Sequence, residues 1–342
     1  MSPLLNAHQP LLAAVEGGPE GFAVRLATAD GQELAALRGP GAGPETDGAE
    51  RTAGQVVALL ARAADTAGLD DPRRLRLAGL GVFVSGCDLD EEADRLTEAL
   101  ADLVPAREVV VDHAALALLR AGTSHGEGVA VRCGAVTGCA ASHDGVRQRF
   151  AALGRAGGEW GGAAGVGEEA LWWAARAGDG RGVPTTLERL APLALGHPSA
   201  ASVARALRLG ELPRWRLAEV APVVLRAASA GDSVARQLLE RQAAELALTA
   251  HMALDAVGLL DVPSEVVLGG VLVEADAGAL VDGVRSRLAP LAPQALVNGW
   301  TGPAVGGAVD LLAEHLAESG RKAARAARAA SGRSLPAVRP PA

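Results

Sequence analysis

The stretch that decides the fold reads "EVVVDHAALALLRAG" at residues 108–122 and continues with "GVAVRCG" at residues 128–134. The first stretch begins as an apolar run of strand type and ends on an acid, Asp112. A short segment with helical spacing of apolar residues follows, and a second strand-like run comes after it. Strand, helix and strand in this order predict parallel strands joined by a crossover helix, as in an α/β fold.

The same alternation extends in both directions along the chain. Three strands with a glycine turn predict an antiparallel start, and a long helical region separates two sets of alternating strands and helices. The predicted strands are residues 11–16, 22–28, 32–38, 75–86, 107–112, 128–134, a hairpin segment at 137–145, 264–272 and 294–298. The predicted helices are residues 51–68, 90–103, 113–122, 168–178, several between 185 and 258, 275–288 and 302–316.

Two α/β units separated by helices predict two lobes with a cleft between them. Ligands of such sheets bind at the carboxyl ends of the strands. Four turns fall at strand ends, at residues 16–20, 85–86, 112–113 and 269–270. We expect an N-terminal lobe at residues 1–120, a C-terminal lobe at 121–320 with a helical insertion at about 165–258, and a basic, disordered tail at 321–342.

Composition narrows the class of protein. The chain has 342 residues, 49% of them hydrophobic and 21% charged, which is typical of a globular protein. The net charge of −8 argues against a general nucleic-acid binder. The chain shows neither a signal peptide nor an apolar run of about 18 residues, so the sequence predicts a soluble, cytoplasmic protein without a membrane partner.

Metal and disulfide chemistry are not expected from the residue types present. The three cysteines, Cys87, Cys133 and Cys139, lack the spacing of a zinc site or a disulfide framework. The seven histidines are scattered without ligand spacing. We therefore expect no metal site held by protein side chains alone.

Two segments have both a functional and a structural interpretation. Asp112 could take a proton from a substrate hydroxyl, but an acid between a strand and a helix is more often a helix N-cap. The hairpin "VEGGPEGFAVRL", residues 15–26, has glycines that could meet phosphates, yet its tip carries Pro19 and Glu20. Local sequence alone leaves both interpretations open.

Three further segments are equally ambiguous. "CGAVTGCAAS", residues 133–142, is either a turn that approaches a phosphate or sugar, or a plain tight hairpin. Trp160 in "GGEWGG" is either a platform for a sugar ring or a core residue. Gly269 and Gly270 let the backbone approach a flat ring, although such pairs are common in α/β turns.

In this order the segments resemble the N-acetylglucosamine kinases and the related BadF/BadG/BcrA/BcrD-type ATPases, in the superfamily of actin, Hsp70 and sugar kinases. The resemblance runs from about residue 11 to about residue 318. It rests on "VDHAALALLRAGT", "GVAVRCGAVTGC", "GGEWGG", "EEALWWAARAGDGRGVPTTL", "VVLGGVL" and "GPAVGGAVDLL". It implies a two-lobed actin-like ATPase fold of the ribonuclease H-like type, each lobe a mixed sheet flanked by helices. It also implies ATP with Mg²⁺, a small sugar as ligand, and a homodimer.

The resemblance also implies roles for individual residues. Asp112 would be the catalytic base and a sugar contact. Two glycine-rich turns would meet the ATP phosphates, a third the adenosine, and a tryptophan loop the sugar. The implied residues are Glu16, Gly17 and Gly18 in the first phosphate turn, Gly134, Ala135 and Thr137 in the second, Gly269 and Gly270 at the adenosine, and Glu159, Trp160 and Gly161 at the sugar. Magnesium would arrive with the nucleotide, near Glu16.

The chain departs from this family pattern at the phosphate and sugar turns. Pro19 replaces a glycine and removes one backbone N–H, and Glu20 replaces a threonine. A carboxylate about 4 Å from a phosphate charge costs roughly 4 kcal/mol at an effective dielectric constant near 20. Val136 stands at a glycine position of the second turn, and the acid of the sugar loop is missing at residues 165 and 166.

Two functions are compatible with this pattern. One is an ATP-dependent sugar kinase of the N-acetylglucosamine kinase type, which transfers a phosphoryl group to an amino-sugar hydroxyl. The alternative is a catalytically impaired relative that binds sugar or nucleotide as a sensor or partner subunit. A third, an iron–sulfur activator ATPase, is disfavoured because the three cysteines offer no suitable ligand pair.

Overall fold

The fold consists of two five-stranded sheets flanked by helices. The structure, a computed structural model, describes residues 10–69, 77–275 and 277–331. The strands are β1 (Leu11–Gly18), β2 (Gly21–Thr28), β3 (Glu33–Gly39), β4 (Leu77–Val84), β5 (Val109–His113), β6 (Gly128–Cys133), β7 (Thr137–His143), β8 (Val146–Phe150), β9 (Ser264–Gly269) and β10 (Ala295–Gly299). The predicted α/β architecture is confirmed.

The helices are concentrated between the two halves of the second sheet. They are α1 (Pro44–Asp47), α2 (Ala49–Thr66), α3 (Asp90–Ala101), α4 (Ala114–Gly122), α5 (Gly162–Gly178), α6 (Leu187–Ala194), α7 (Ala200–Arg208), α8 (Ala221–Ser229), α9 (Ser233–Ala256), α10 (Val271–Ala275), α11 (Ala277–Leu288) and α12 (Val305–Ser331). Two 3₁₀ helices span Gly154–Ala156 and Arg214–Val220.

The two sheets have the same topology. The N-terminal sheet has the order β3-β2-β1-β4-β5, and the C-terminal sheet has the order β8-β7-β6-β9-β10. In each, the first three strands are antiparallel and the last two run parallel to the central strand. Because β1, β4 and β5 are parallel, their carboxyl ends meet at one edge of the N-terminal sheet. Glu16, Ser85 and Asp112 therefore lie at that edge.

The central helices α4 and α12 join the two lobes. α4 contacts β6 and β7 of the C-terminal sheet as well as β1, β4 and β5 of the N-terminal sheet. Buried apolar side chains from both lobes form one cluster around these helices, among them Phe83, Leu118, Val267 and Leu311. The lobes therefore share a core in addition to having one each.

The last helix packs on the N-terminal sheet. α12 contacts α4, β1 and β4, and Gly79 and Gly81 of β4 let Leu312 and Leu316 approach the strand closely. Chain order alone would assign this helix to the C-terminal lobe. The helix also continues to Ser331, so the first part of the tail, for which the sequence predicts disorder, is helical. Residues 332–342 lie outside the described residues.

Helix α5 begins earlier than its sequence indicates. The glycine-rich stretch before residue 168 is typical of a loop, but the helix starts at Gly162. At two of its glycines, the backbone of another segment lies so close to the helix that a side chain would not fit. A Cβ on Gly162 would be 2.7 Å from the Ala135 carbonyl oxygen, and one on Gly167 would be 2.0 Å from that of Leu217.

Neither Asp88 nor Asp90 caps the start of α3 with its side chain. Glu92 accepts hydrogen bonds at 2.9 Å from the backbone N–H groups of Asp88 and Leu89 instead. The carboxylate of Asp88 is thereby free to reach across to the other lobe, where it accepts a 2.9 Å hydrogen bond from the N–H of Ala152.

Candidate functional site

Two cavities lie on either side of the β1–β2 hairpin. The hairpin cavity, about 230 Å³, is lined by Glu16, Gly17, Glu20, Gly270 and Trp300 among others. The cleft cavity, about 270 Å³, is bounded by both lobes, and its walls include Pro19, Ser85, Gly86, Val136, Glu168 and Trp215. The turns that were predicted to hold phosphate therefore do converge in space.

Two further cavities adjoin the predicted sugar loop, and Glu159 and Trp160 line both of them. The loop cavity, about 100 Å³, is lined by Val136, Thr137, Glu159, Trp160 and Gly161, and it shares Val136, Gly165 and Glu168 with the cleft cavity. The α9 cavity, about 280 Å³, lies between the same tryptophan loop and α9. Asp112 lines none of these four cavities.

An arginine occupies the space between the two turns that are predicted to meet phosphate. The Arg132 side chain, at the end of β6, crosses between the lobes and is only 9% exposed. Its Nε donates to Glu16 Oε1 at 3.2 Å, and its Nη1 donates to Glu20 Oε1 and Ser85 Oγ, each at 2.7 Å. Glu16 also accepts a hydrogen bond from the N–H of Ala304 at 3.3 Å. The charged groups beside the hairpin are thus engaged with one another.

The Glu20 carboxylate fills the gap between the two predicted phosphate turns. Its Oε2 lies 2.8 Å from where a Cβ on Gly18 would be, and its Oε1 lies 2.8 Å from the same point on Gly134. A side-chain carboxylate therefore takes the place between the turns where the family resemblance puts phosphate. The Arg132 guanidinium lies beside this carboxylate, since its Nη1 is 2.3 Å from the position that a Cβ on Gly134 would take.

Burial and charge act against each other in this network. Burial raises the pKa of Glu16, and the neighbouring Arg132 only partly offsets this rise. Burial alone would lower the pKa of Arg132, but attraction to Glu20 and Glu16 outweighs it and raises the pKa. Arg132 therefore stays charged and holds Glu20 in place.

Asp112 lies at the boundary between the lobes and is not a helix cap. His113 caps α4, since its Nδ1 accepts from the N–H of Ala115 at 3.1 Å. The Asp112 carboxylate accepts from the N–H of His113 at 2.7 Å and pairs with Arg149 of β8 at 3.2 Å. Burial raises the pKa of this carboxyl group, against the lowering effects of the His113 N–H and of Arg149.

A buried histidine adjoins Asp112. His113 is 2% exposed, and its ring lies against the backbone of Gly138 in the other lobe. Because Nδ1 accepts a hydrogen bond, the proton of the neutral ring is on Nε2, which has no hydrogen-bond partner within the described residues and lies 3.8 Å from Asp88 Oδ1. Burial, together with Arg132 and Arg149, lowers the pKa of His113 to about 3.

The tryptophan loop is more enclosed than a sugar platform would be. Trp160 is 8% exposed and belongs to the core of the C-terminal lobe, and the Arg241 guanidinium covers its ring at 4.1 Å. Gly161 lies against Gln242, so that a Cβ there would be 2.1 Å from Gln242 Oε1. The structure therefore favours the core interpretation of Trp160.

At the turn that is predicted to meet adenosine, a Cβ on Gly270 would be 2.5 Å from the Cys133 carbonyl oxygen. Only glycine allows this approach, since the φ of Gly270 is also positive, at +93°. Gly269 meets Leu118 and is absent from the wall of the hairpin cavity.

Arg132, Trp215 and Trp300 are among the cavity-lining residues that sequence reasoning missed, whereas it did place the turn at residues 85–86 at a strand end. Arg132 alone had a visible signal. A charged residue inside the apolar strand "GVAVRC" must find buried partners or distort the strand. The two tryptophans sit in segments without a motif.

Neither a metal cluster nor a membrane span is found within the described residues. Across residues 10–69, 77–275 and 277–331, no group of three or more His, Cys, Asp or Glu side chains is arranged to hold a metal ion. No helix in this part of the chain is both long and apolar enough to span a bilayer. The three cysteines are buried free thiols.

Two sheets of identical topology, with strand ends and glycine turns facing a shared cleft, define the class of two-lobed actin-like ATPases. The model of the BadF/BadG/BcrA/BcrD ATPase family matches residues 21–309. The chain belongs to this family.

Solved structures share the fold. A protein of Chromobacterium violaceum, provisionally assigned as an N-acetylglucosamine kinase, superposes with a TM-score of 0.68 at 24% identity, over 90% of this chain and 100% of that one. Another protein with the same provisional assignment, from Porphyromonas gingivalis, gives 0.65 at 15% identity, over 89% and 99%. A ROK family glucokinase from Streptomyces griseus, in complex with glucose and AMPPNP, gives 0.54 at 17% identity, also over 89% and 99%. No curated protein matches this chain significantly.

Proposed function

We propose that this protein is a catalytically impaired relative of the ATP-dependent sugar kinases, which binds a sugar-sized ligand between its lobes as a sensor or partner subunit. One observation carries this proposal. The Glu20 carboxylate, held by Arg132 at 2.7 Å, lies between the two turns that the family uses for phosphate.

The residues present do not fit a triphosphate with its magnesium ion. Glu16 and Glu20 bring two carboxylates to the site, and the charge of Arg132 is already shared between them. Pro19 offers no N–H, and Val136 places a branched side chain on the second turn. Phosphate would have to displace Glu20 and then face Glu16 as well.

The cleft cavity is the proposed ligand site. It combines an aromatic side chain, Trp215, with hydroxyls from Thr46 and Ser85 and carboxylates from Glu45 and Glu168. Sugars present apolar ring faces and hydroxyl groups, which suit such a mixture.

A second candidate, an ATP-dependent amino-sugar kinase, is favoured by Asp112. This half-buried carboxylate lies at the carboxyl end of the edge strand β5, at the lobe boundary, where a base for a sugar hydroxyl is required. In that function Asp112 must leave Arg149 before it can meet a substrate.

Calorimetry and a coupled kinase assay separate the two candidates. We expect N-acetylglucosamine, glucosamine or glucose to bind without Mg-ATP, Mg-ATP to bind with a dissociation constant above about 1 mM, and no turnover. Glu20→Thr should tighten Mg-ATP binding at least about tenfold, since one repulsive carboxylate is removed. The exposed Glu50→Thr is the control. Submillimolar Mg-ATP binding by the unaltered protein would count against the impaired relative, and sugar phosphorylation that Asp112→Asn abolishes would establish the kinase.

A further inference from the structure

The last part of α12 extends beyond the N-terminal lobe. Leu312 is buried and Leu316 still reaches Gly79 of β4, but residues 320–325 are all exposed. Six consecutive exposed residues cover more than one and a half helical turns, so no side of this part of the helix packs against the described residues. The helix therefore leaves the lobe shortly after Leu316.

This basic extension, residues 320–331, carries unpaired positive charge. From residue 321 onwards the sequence holds six of the 32 lysines and arginines and none of the 40 acids, which leaves 26 basic against 40 acidic residues, a net charge of −14, for the rest of the chain. Arg321, Arg325 and Arg328 are spaced for one face of a helix. The side chains of Arg321, Lys322 and Arg325 make neither an ion pair nor a hydrogen bond within the described residues.

Helix α3 has the opposite charge on the side that faces away from its own lobe. Leu96 and Leu100 are buried in the core of the N-terminal lobe. The other side of the helix is the acidic face of α3, which consists of Glu91, Asp94, Glu98 and Asp102 at helical spacing and is bordered by Arg95. These four acids are exposed or partly exposed, and their side chains have no ion pair within the described residues.

The two charged helices belong to opposite faces of the N-terminal sheet. Leu80 and Val82 of β4 share a core cluster with Leu96 of α3. Gly79 and Gly81, on the other side of the same strand, lie against α12. The basic extension therefore does not lie beside the α3 of its own chain, and a second copy is needed to bring the two surfaces together.

A second copy fits the extension better than a lipid surface or a nucleic acid. Residues 320–331 contain no apolar side chain larger than that of alanine, so they lack the groups with which a basic helix enters a membrane surface. A duplex carries one negative charge per about 1.7 Å along its whole length and would face the acidic body as well as the extension. The acidic face of α3, in contrast, is about 16 Å long at 1.5 Å per residue, similar to the extension.

We propose that the basic extension of α12 binds the acidic face of α3 in a second copy of this chain. Reciprocal contacts across a twofold axis use both extensions and both α3 helices, so the assembly closes at two copies. Exposed ion pairs are individually weak and are screened by salt. The dimer therefore has low affinity and dissociates as the salt concentration rises.

Sedimentation velocity of the full chain at about 100 µM tests this proposal. We expect dimers in about 20 mM NaCl and at least tenfold weaker association in about 500 mM NaCl, because the Debye length falls several-fold. An extension variant and an α3 variant, in which the charges of one surface are reversed, should each be monomeric at both salt concentrations. The changes are Arg321→Glu, Lys322→Glu and Arg325→Glu in the first, and Asp94→Lys, Glu98→Lys and Asp102→Lys in the second.

An equimolar mixture of the two variants distinguishes a second copy from any other partner. The mixture should form dimers again, because both contacts of the mixed pair then join opposite charges. The matched control reverses three exposed arginines of α6, α7 and α8 and should dimerise like the unaltered chain; its changes are Arg189→Glu, Arg208→Glu and Arg226→Glu.

Far-ultraviolet circular dichroism of each variant verifies the fold before sedimentation. A chain that stays monomeric in low salt, dimers that both variants retain, or a mixture that stays monomeric would overturn the proposal. Fluorescence anisotropy with a duplex of about 20 base pairs provides the remaining outcome. Duplex binding that the extension variant loses, in a chain that forms no salt-sensitive dimer, would assign the extension to nucleic acid instead.

Discussion

At the scale of single residues, Arg132 both joins the lobes and occupies the space between the two turns that are predicted to meet phosphate. Its guanidinium is buried with two carboxylates, and the attraction must offset the cost of removing three charges from water. Burial of an ion pair is often no more stabilising than apolar packing, but removal of one partner leaves the others unpaired. The network is therefore sensitive to single changes.

Arg132→Met should lower the free energy of unfolding by about 3–5 kcal/mol, because Glu16 and Glu20 would stay buried without a cation. Urea denaturation measures this loss. Adding Glu16→Gln and Glu20→Gln to Arg132→Met should restore most of it. A loss below about 1 kcal/mol in the single variant would mean that the network behaves like an exposed pair.

His113 should make the protein lose stability in acid. Its pKa is about 3 in the folded protein, against 6.5 ordinarily, so below pH 6.5 the unfolded chain binds a proton that the folded one refuses. The free energy of unfolding is therefore unaffected by His113 above pH 6.5 and decreases as the pH falls from 6.5 towards 3. Asp88 acts oppositely, because burial raises its pKa to about 6 and the folded protein takes up its proton first.

His113→Asn isolates the histidine effect, since asparagine can still cap α4. The wild type should lose stability relative to this variant as the pH falls from 7 to 5, with Asp88 common to both. Urea denaturation at pH 7, 6 and 5 gives the two curves. Parallel curves would show that His113 does not titrate differently on folding.

At the scale of the elements, α5 shows how glycine can mark close packing inside a helix. Gly167 faces the 3₁₀ helix Arg214–Val220 at a distance that leaves no room for a methyl group, whereas Gly165 has nothing within 4 Å of its Cβ position. The two glycines are two residues apart in the same helix, yet only one is required.

Gly167→Ala should therefore destabilise the protein by about 1–3 kcal/mol, since backbone must move away from the added methyl group. Gly165→Ala is its matched control and should stabilise by up to about 1 kcal/mol, through helix propensity. Guanidinium denaturation compares the two. Equal effects at both positions would contradict the packing described for α5.

The periodicity of the sequence predicts most of these elements but not the contacts between them. Apolar runs bounded by turns indicate β1, β6 and β9. Such a run can be recognised from local sequence, because a strand that is buried on both faces is apolar at nearly every position. The early start of α5 is hidden because its glycines are explained only by Ala135 and Leu217. Likewise, Arg132 and Glu16 are 116 residues apart in the sequence, so no local pattern predicts that they pair.

At the scale of the whole molecule, ion pairs from one edge strand tie the lobes together. Arg149 of β8 pairs with Asp112 and Asp90 of the N-terminal lobe, and Arg147 pairs with Glu314 of α12. These pairs are partly exposed, so each contributes about 0–1 kcal/mol and weakens with salt. We therefore expect them to influence how readily the lobes separate and not which fold forms.

Arg149→Leu should shift the protein towards open lobes, since it removes two of these pairs at once. We expect a larger radius of gyration by small-angle X-ray scattering, and faster limited proteolysis near the cleft. Arg181→Leu removes a local pair with Asp179 in one lobe and should change neither. An unchanged radius of gyration in Arg149→Leu would show that the shared core alone holds the lobes closed.

The position of α12 has a consequence for biosynthesis. The ribosome makes β1 before the helix that covers it, which emerges only after some 300 further residues. Until then α4 covers only part of that face of the nascent N-terminal sheet, and apolar surface exposed in this way favours aggregation. Chaperone capture during translation is therefore expected to matter more for this half of the chain than for the half made later.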